Sequence, residues 1–382
     1  MAQGERGSRV KRTVDRWAGC PIVWLLSLFH RKRARPHDVG RIGVLMFGAI
    51  GDAVLSSAII HDLRREFPSA RITAFVSAAN SGILELIDGP DAVVTIPLSR
   101  PLRALSMLRK GRFDVLIDTA QWPRISAVLA ALAAAGYTIG FKTPRQLRHM
   151  AFDVAVPHSA QRHELDNFRA LPGCLGITGQ ALPRFKRELF EQAALHCRPP
   201  YVVFHPWATG YRSRFREWAA ENWVRLASIV IQRGYRVLIT GGPQDVERSE
   251  ALVASLGNPG EMEVLAGRVT LRGTTMALIN ARAVVSVNTG IMHIAALLGV
   301  PTLGLHGPTN PRRWGPVGRN CIVVGPGPES GCAYLNLGFE YPAHPPDCMA
   351  AITVEEVTAH LNGLLATDPA TPSSADFAGG VT

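Results

Sequence analysis

The chain reads as an α/β protein built from two doubly wound halves. Three observations predict this. Short β-branched runs alternate with amphipathic helical stretches from Arg41 onward, a pattern that implies mostly parallel sheets. The alternation breaks over residues 181–200, which are rich in Pro and charge, and then restarts. Finally, 382 residues suit two or three domains, at roughly 150 residues each. A hydrophobic content of 47% excludes a disordered chain.

In the first half, strands are predicted at Ile42–Phe47, Ile72–Val76, Ala92–Ile96 and Val115–Asp118. Helices are predicted at Ala53–Glu66, Leu102–Lys110, Ile125–Ala135 and Gln161–Leu175. Leu55, Ile59 and Leu63 form a stripe at i, i+4, i+8 that faces a sheet. In the second half the strands are Tyr201–His205, Tyr235–Thr240, Ala283–Val287, Pro301–Leu305 and Cys321–Val324. Its helices are Glu217–Arg233, Asp245–Leu256, Leu271–Ala281, Ile291–Leu298 and Val354–Leu365. Two open sheets of this kind predict a ligand cleft between the domains, at the carboxyl ends of the strands.

The two ends differ from the body. Residues 1–41 hold ten Lys/Arg against three acids, so +7 of the net +11 is a local tail. The apolar run Gly19–His30 inside it is too short to span a bilayer, which takes about 20 apolar residues. Arg31-Lys32-Arg33 follows with no small-residue cleavage site. Trp24, Leu25, Leu28 and Phe29 between basic clusters fit a segment lying on an anionic membrane surface. The alternative is a disordered tail or a helix packed on the body. Residues 366–382, rich in Pro, Ser, Ala and Gly, are expected to be disordered. Six cysteines without a CxxC pair exclude a disulfide scaffold or zinc ribbon and fit a reducing compartment.

Four motifs carry the chemistry. The first is Phe47-Gly48-Ala49-Ile50-Gly51-Asp52, where a buried strand enters a glycine loop and then a helix. Asp52 there is either an N-terminal cap or a general base at the mouth of the cleft. The second is Asn288-Thr289-Gly290-Ile291-Met292-His293, a strand running into a helix whose free N–H groups favour an anion. His293 either points at a bound phosphate or is a core histidine. The third is His205-Pro206-Trp207-Ala208-Thr209 followed by Arg212, Arg214 and Arg216, guanidinium forks that match phosphate oxygens or form a solvated basic loop. Trp218 and Trp223 are expected to pack. The fourth is Thr240-Gly241-Gly242-Pro243-Gln244-Asp245-Val246-Glu247, where Asp245 or Glu247 accepts from a ribose or simply complements the helix dipole.

Other chemistries are missing. GxxxxGK[ST], HExxH and GxSxG do not occur, nor does Asp-x-Asp. Gly48-x-x-Gly51 lacks the GxGxxG spacing of a nicotinamide oxidoreductase. Nucleic-acid binding rests on the basic tail alone and is not expected. His344-Pro345-Pro346-Asp347-Cys348 is expected to be a rigid loop and not a metal site.

In this order, the four motifs resemble glycosyltransferase family 9, the ADP-heptose:lipopolysaccharide heptosyltransferases. Ala266-Gly267 with Leu271, Gly307-Pro308-Thr309 and Cys348-Met349 extend the likeness across Arg41 to Leu365. The resemblance implies a GT-B fold, two Rossmann-like domains facing across a cleft. Residues 41–190 would bind the acceptor and 191–350 the nucleotide sugar. A terminal helix over 351–365 would return to the first domain, leaving 1–40 as the basic, apolar extension. It implies an inverting, metal-independent glycosyltransferase that needs no cofactor. The donor would be ADP-heptose and the acceptor a lipopolysaccharide-core or related lipid-linked glycan. The setting would be cytoplasmic, peripheral on the inner face of the inner membrane. Asp52 would be the catalytic base, on an acceptor-side loop with Gly48 and Gly51. Thr209, Arg216, Gly242, Glu247, Asn288, Thr289, Gly290 and His293 would bind donor and phosphate. Two residues depart from the family pattern. Asn288 stands where the family has Asp, and Arg216 where it has a phosphate-contacting Lys. Of the cysteine cluster some members carry, Cys332 and Cys348 remain. The competing reading is a non-catalytic nucleotide-sugar-binding or assembly protein on the same scaffold, motivated by Asn288.

Overall fold

The computed structural model describes residues 9–194, 200–256, 259–336, 338 and 340–366. It divides into two units, Met1–Arg184 and Phe185–Thr382, so the boundary falls six residues before the expected 190/191. The tail expected to be disordered lies outside the described residues beyond Ala366, as do residues 1–8.

Unit 1 runs through α1 (Arg9–Phe29), β1 (Arg41–Met46), α2 (Ile50–Ser56), α3 (Ala58–Glu66), β2 (Arg71–Val76), α4 (Ser81–Leu84), β3 (Ala92–Thr95), α5 (Pro101–Lys110), β4 (Val115–Asp118), α6 (Arg124–Leu132), β5 (Tyr137–Lys142), β6 (Val154–Pro157) and α7 (Glu164–Ala170). Its sheet has the order β3-β2-β1-β4-β5-β6, and every neighbouring pair is parallel. β1 is buried from Ile42 to Met46, as a central strand covered on both faces must be. The single helix expected over Ala53–Glu66 is two, joined at Ser57. The Ser57 hydroxyl donates to the Val54 carbonyl at 2.6 Å, a back-bond that bends helices. The helix expected over Gln161–Leu175 stops at Ala170, ahead of Pro172, which cannot continue the ladder.

Unit 2 runs through α8 (Arg187–Ala194), β7 (Tyr201–His205), α9 (Ala220–Gln232), β8 (Arg236–Ile239), α10 (Val246–Ala254), β9 (Met262–Val264), α11 (Leu271–Ile279), β10 (Ala283–Val287), α12 (Gly290–Leu297), β11 (Thr302–Leu305), α13 (Pro311–Trp314), β12 (Cys321–Val324) and α14 (Val354–Ala366). Its sheet has the order β12-β11-β10-β7-β8-β9, again parallel throughout. Each unit therefore repeats the doubly wound order 3-2-1-4-5-6. Trp218 and Trp223 pack edge to face in the core, with ring centroids 5.4 Å apart.

α14 is built into unit 2. Its residues Val354, Val357, Leu361, Leu364 and Leu365 belong to the apolar core of unit 2. Trp218 Nε1 donates to the Ile352 carbonyl at its start, at 2.9 Å. The apolar stripe of α14 thus finds its partners in unit 2.

The N-terminal segment is a helix docked on unit 1. Asp15 accepts from the Arg124 backbone N–H and guanidinium, both at 2.7 Å. Gly19 lets α1 approach α6, since a Cβ there would lie 2.8 Å from Arg124 Cβ. Val23 is fully buried in the unit 1 core. Beyond the helix, Arg33 clasps Asp153 through its backbone N–H, Nε and Nη2 at 2.8–3.1 Å.

Candidate active site

In a doubly wound sheet the ligand site lies where the strand order reverses, at the carboxyl ends of the two central strands. In unit 1 these are β1 and β4. The loop leaving β1 carries Gly48, Gly51 and Asp52, and Asp52 is the third residue of α2. Its Oδ2 accepts the Ala49 N–H at 2.6 Å, which turns the carboxylate back over the loop. Its Oδ1 faces Gln121 Nε2 at 3.3 Å. Gly48 is required: a Cβ there would lie 2.3 Å from Asp52 Cβ. Asn80, buried after β2, braces the same loop by donating to the Met46 and Gly48 carbonyls at 2.6 and 3.2 Å.

Gln121 comes from the loop after β4, and buried charge shapes that loop. Asp118 accepts the Ala120 N–H at 2.9 Å and Arg148 Nη2 at 2.5 Å. Both partners of this ion pair are fully buried. The turn so fixed carries Gln121 towards Asp52. Half-buried and held from two sides, Asp52 is an oriented carboxylate.

In unit 2 the reversal lies between β7 and β10, with β8 next to β7. The loops after these three adjacent strands, with the first turns of α10 and α12 that follow two of them, hold every predicted donor residue, so the sheet gathers them at one end. After β7, Arg216 donates to the Thr209 carbonyl at 2.5 Å, and its Nε is buried. Glu217 pins the loop by accepting the Ala208 N–H at 3.0 Å and pairing with Arg248. Arg248 in turn lies 4.0 Å over the Trp207 ring. After β8, the Gly242 N–H donates to buried Asp245 at 2.8 Å. Asp245 is thereby occupied inside its own turn, whereas Glu247 is exposed in the first turn of α10.

After β10, Asn288, Thr289 and Gly290 are half-buried and lead into α12. Thr289 occupies the N-cap position without a side-chain cap bond. The start of α12 therefore combines the positive end of a dipole with N–H groups that no capping side chain covers. His293 is 2% exposed, inside a helix buried from Ile291 to Leu297, the placement of a core histidine. His205 faces Thr240 Oγ1 at 2.9 Å, and burial pushes its pKa down to about 4.

Several residues of this geometry have no sequence signature. His306, after β11, lies 3.5 Å from Asn288 Nδ2 and 3.2 Å from Thr309 Oγ1 through its Nδ1. Tyr341 packs its ring 5.7 Å from Phe215 and 6.3 Å from Tyr211, beside the Arg216 turn. Asn80, Gln121 and Arg248 likewise act through contacts far away in sequence. Cys332 and Cys348, the two cysteines left for a metal, are joined in a disulfide. Among the described residues no three His, Cys, Asp or Glu side chains gather as a metal site. No described helix is long and apolar enough to cross a membrane.

A family model described as glycosyltransferase family 9 (heptosyltransferase) matches residues 102–333. Lipopolysaccharide heptosyltransferase 1 of Escherichia coli O18:K1:H7 is 34% identical over 311 residues, covering 76% of this chain and 93% of that protein. The protein of the same description from Pseudomonas aeruginosa is 32% identical over 181 residues, covering 44% of this chain and 48% of its own length. Among solved structures, E. coli heptosyltransferase WaaC with ADP superposes with a TM-score of 0.66 at 21% identity, over 85% of this chain and 99% of that one. The two Rossmann-like units are those of the GT-B fold.

Proposed function

The chain belongs to glycosyltransferase family 9, and on that premise we propose that it moves heptose from ADP-heptose to a lipopolysaccharide-core or related lipid-linked acceptor, with inversion. It is a glycosyltransferase. We place the reaction on the cytoplasmic face of the bacterial inner membrane, with the protein bound peripherally. The heptosyltransferase relatives do not favour the non-catalytic alternative.

One observation carries the mechanism. An oriented carboxylate stands at the switch point of unit 1, and a guanidinium with an uncapped helix start stands at the switch point of unit 2. Asp52 takes the proton of the acceptor hydroxyl as that oxygen attacks the anomeric carbon. Gln121 and the Ala49 N–H hold the carboxylate in place for it. The bond to the diphosphate breaks on the opposite face, and negative charge grows on the leaving group. Arg216 and the first N–H groups of α12, entered through Thr289 and Gly290, meet that charge with donors already in place. His293 backs the helix one turn further on. Thr209, Gly242 and Glu247 serve the nucleoside end, and Asn288 the sugar. Asn288 keeps the hydrogen-bonding shape of an Asp without its charge.

The test is Asp52→Asn, with transfer measured on lipid-linked acceptor and donor affinity by calorimetric titration against ADP, UDP, GDP and ADP-heptose. Selective binding of ADP and ADP-heptose is expected, unchanged in the variant, with transfer reduced by roughly 10²–10⁴-fold. Normal transfer by the variant would remove Asp52 as the base. Preference for another nucleotide would overturn the donor.

A further inference from the structure

We propose that the outer face of α1 is a docking surface for an anionic lipid bilayer, holding unit 1 with this helix flat in the headgroup layer. The helix has two faces. The inner face, through Asp15, Gly19 and Val23, is fixed to unit 1 by the contacts already described. Opposite it stand Val14, Trp17, Trp24, Leu25, Leu28 and Phe29, all exposed, with Trp17 at 77% and Phe29 at 81%. At 3.6 residues per turn these six fall within an arc of about 140°. From Arg12 to the end of the helix no charged residue falls inside that arc.

The face is thus continuously apolar from Val14 to Phe29 of the 21-residue helix, about 24 Å along its axis. Soluble proteins seldom leave so many large apolar side chains in one exposed patch without a partner.

Charge selects the partner. Arg16 is exposed on the helix, and Arg31 and Lys32 are exposed just past its end. The segment as a whole carries +7. Trp17 and Trp24, seven apart, line one edge of the apolar arc. Indole rings at an apolar border with cations beside them match the headgroup layer, where the ring is half immersed and the cation meets lipid phosphate. A second copy of the chain would instead set two such segments of like charge against each other. The helix does not penetrate, because its inner face is already occupied by unit 1.

This inference rests on the reading of a lipid-linked acceptor, and its test separates the two. The full chain is floated with vesicles of phosphatidylethanolamine and phosphatidylglycerol, and with phosphatidylcholine vesicles as control. The triple variant Trp17→Ser/Trp24→Ser/Leu28→Ser removes apolar surface at exposed positions, and Arg31→Glu/Lys32→Glu removes the cations. The wild type is expected to float with the anionic vesicles and less well at high salt. The triple variant should lose at least about tenfold in partition, and the charge variant should bind phosphatidylglycerol no better than phosphatidylcholine. With a water-soluble acceptor fragment the triple variant should turn over like the wild type. Three results would overturn the surface: no flotation of the wild type, flotation of the triple variant at wild-type level, or a lipid-free dimer that the triple variant dissolves. Flotation without transfer would leave the surface standing and sink the catalytic reading instead.

Discussion

Acid should weaken unit 2 through His306. This residue is fully buried after β11, and burial pushes its pKa from 6.5 down to about 4. The groups facing its Nδ1, Thr309 Oγ1 and Asn288 Nδ2, are neutral. Because the folded value lies below the unfolded one, the unfolded chain binds the extra proton between about pH 4 and 6.5. The stabilisation is complete above that window and is lost as pH falls through it. A gap of 2.5 units is worth about 3 kcal/mol in full, of which about 2 kcal/mol disappears between pH 7 and pH 5. His205, also pushed down to about 4 by burial, acts in the same sense, so the experiment compares variants. Urea unfolding of wild type and His306→Asn, followed by the fluorescence of Trp207, Trp218 and Trp223 in the same unit, is measured at both pH values. The wild type should lose about 2 kcal/mol more than the variant. Equal losses would refute a neutral, buried His306.

Three further outcomes are expected. Gly48→Ala forces its Cβ to within 2.3 Å of Asp52 Cβ, so the carboxylate must move. Turnover should fall about 10²-fold or more, as for a misplacement near 1 Å, with ADP affinity unchanged by calorimetry. Arg216→Ala should weaken ADP binding by about ten- to a hundredfold, the value of one charge-assisted hydrogen bond, and Arg216→Lys should restore only part, since an ammonium lacks the fork. Cys332→Ser opens the loop closed by Cys348, which carries Tyr341 against Tyr211 and Phe215. Limited proteolysis of that loop should speed up, consistent with up to about 3 kcal/mol less constraint on opening, and a reductant should reproduce the effect on wild type.

How much of this was legible depends on distance along the chain. β1, β4, β7 and β10 were readable because each is a buried β-branched run ending in a glycine or polar turn. β5 was missed because Gly140 interrupts it, β9 because it is three residues long, and β6 because a four-residue edge strand ending in Pro157 has little pattern. The site divides in the same way. Asp52, Arg216 and the Asn288–Gly290 turn sit at strand ends where local spacing marks them. Asn80, Gln121, His306 and Tyr341 matter only because the sheet brings distant loops together. No periodicity records that Gln121 meets a residue 69 positions earlier. Burial of His293 was likewise undecidable from a helix whose other residues are nearly all apolar.

The anchorage of α1 has a consequence for synthesis. The helix leaves the ribosome before anything it docks on. Arg124 follows Asp15 by 109 residues, and Asp153 follows Arg33 by 120. At about 5–20 residues per second this is a delay of roughly 5–25 s. During that interval both faces of α1 are uncovered, and residues 1–41 around it are basic. The body of unit 1 then closes on the inner face alone. The order of the sequence thus presents the outer face to its surroundings before the enzyme it belongs to has folded.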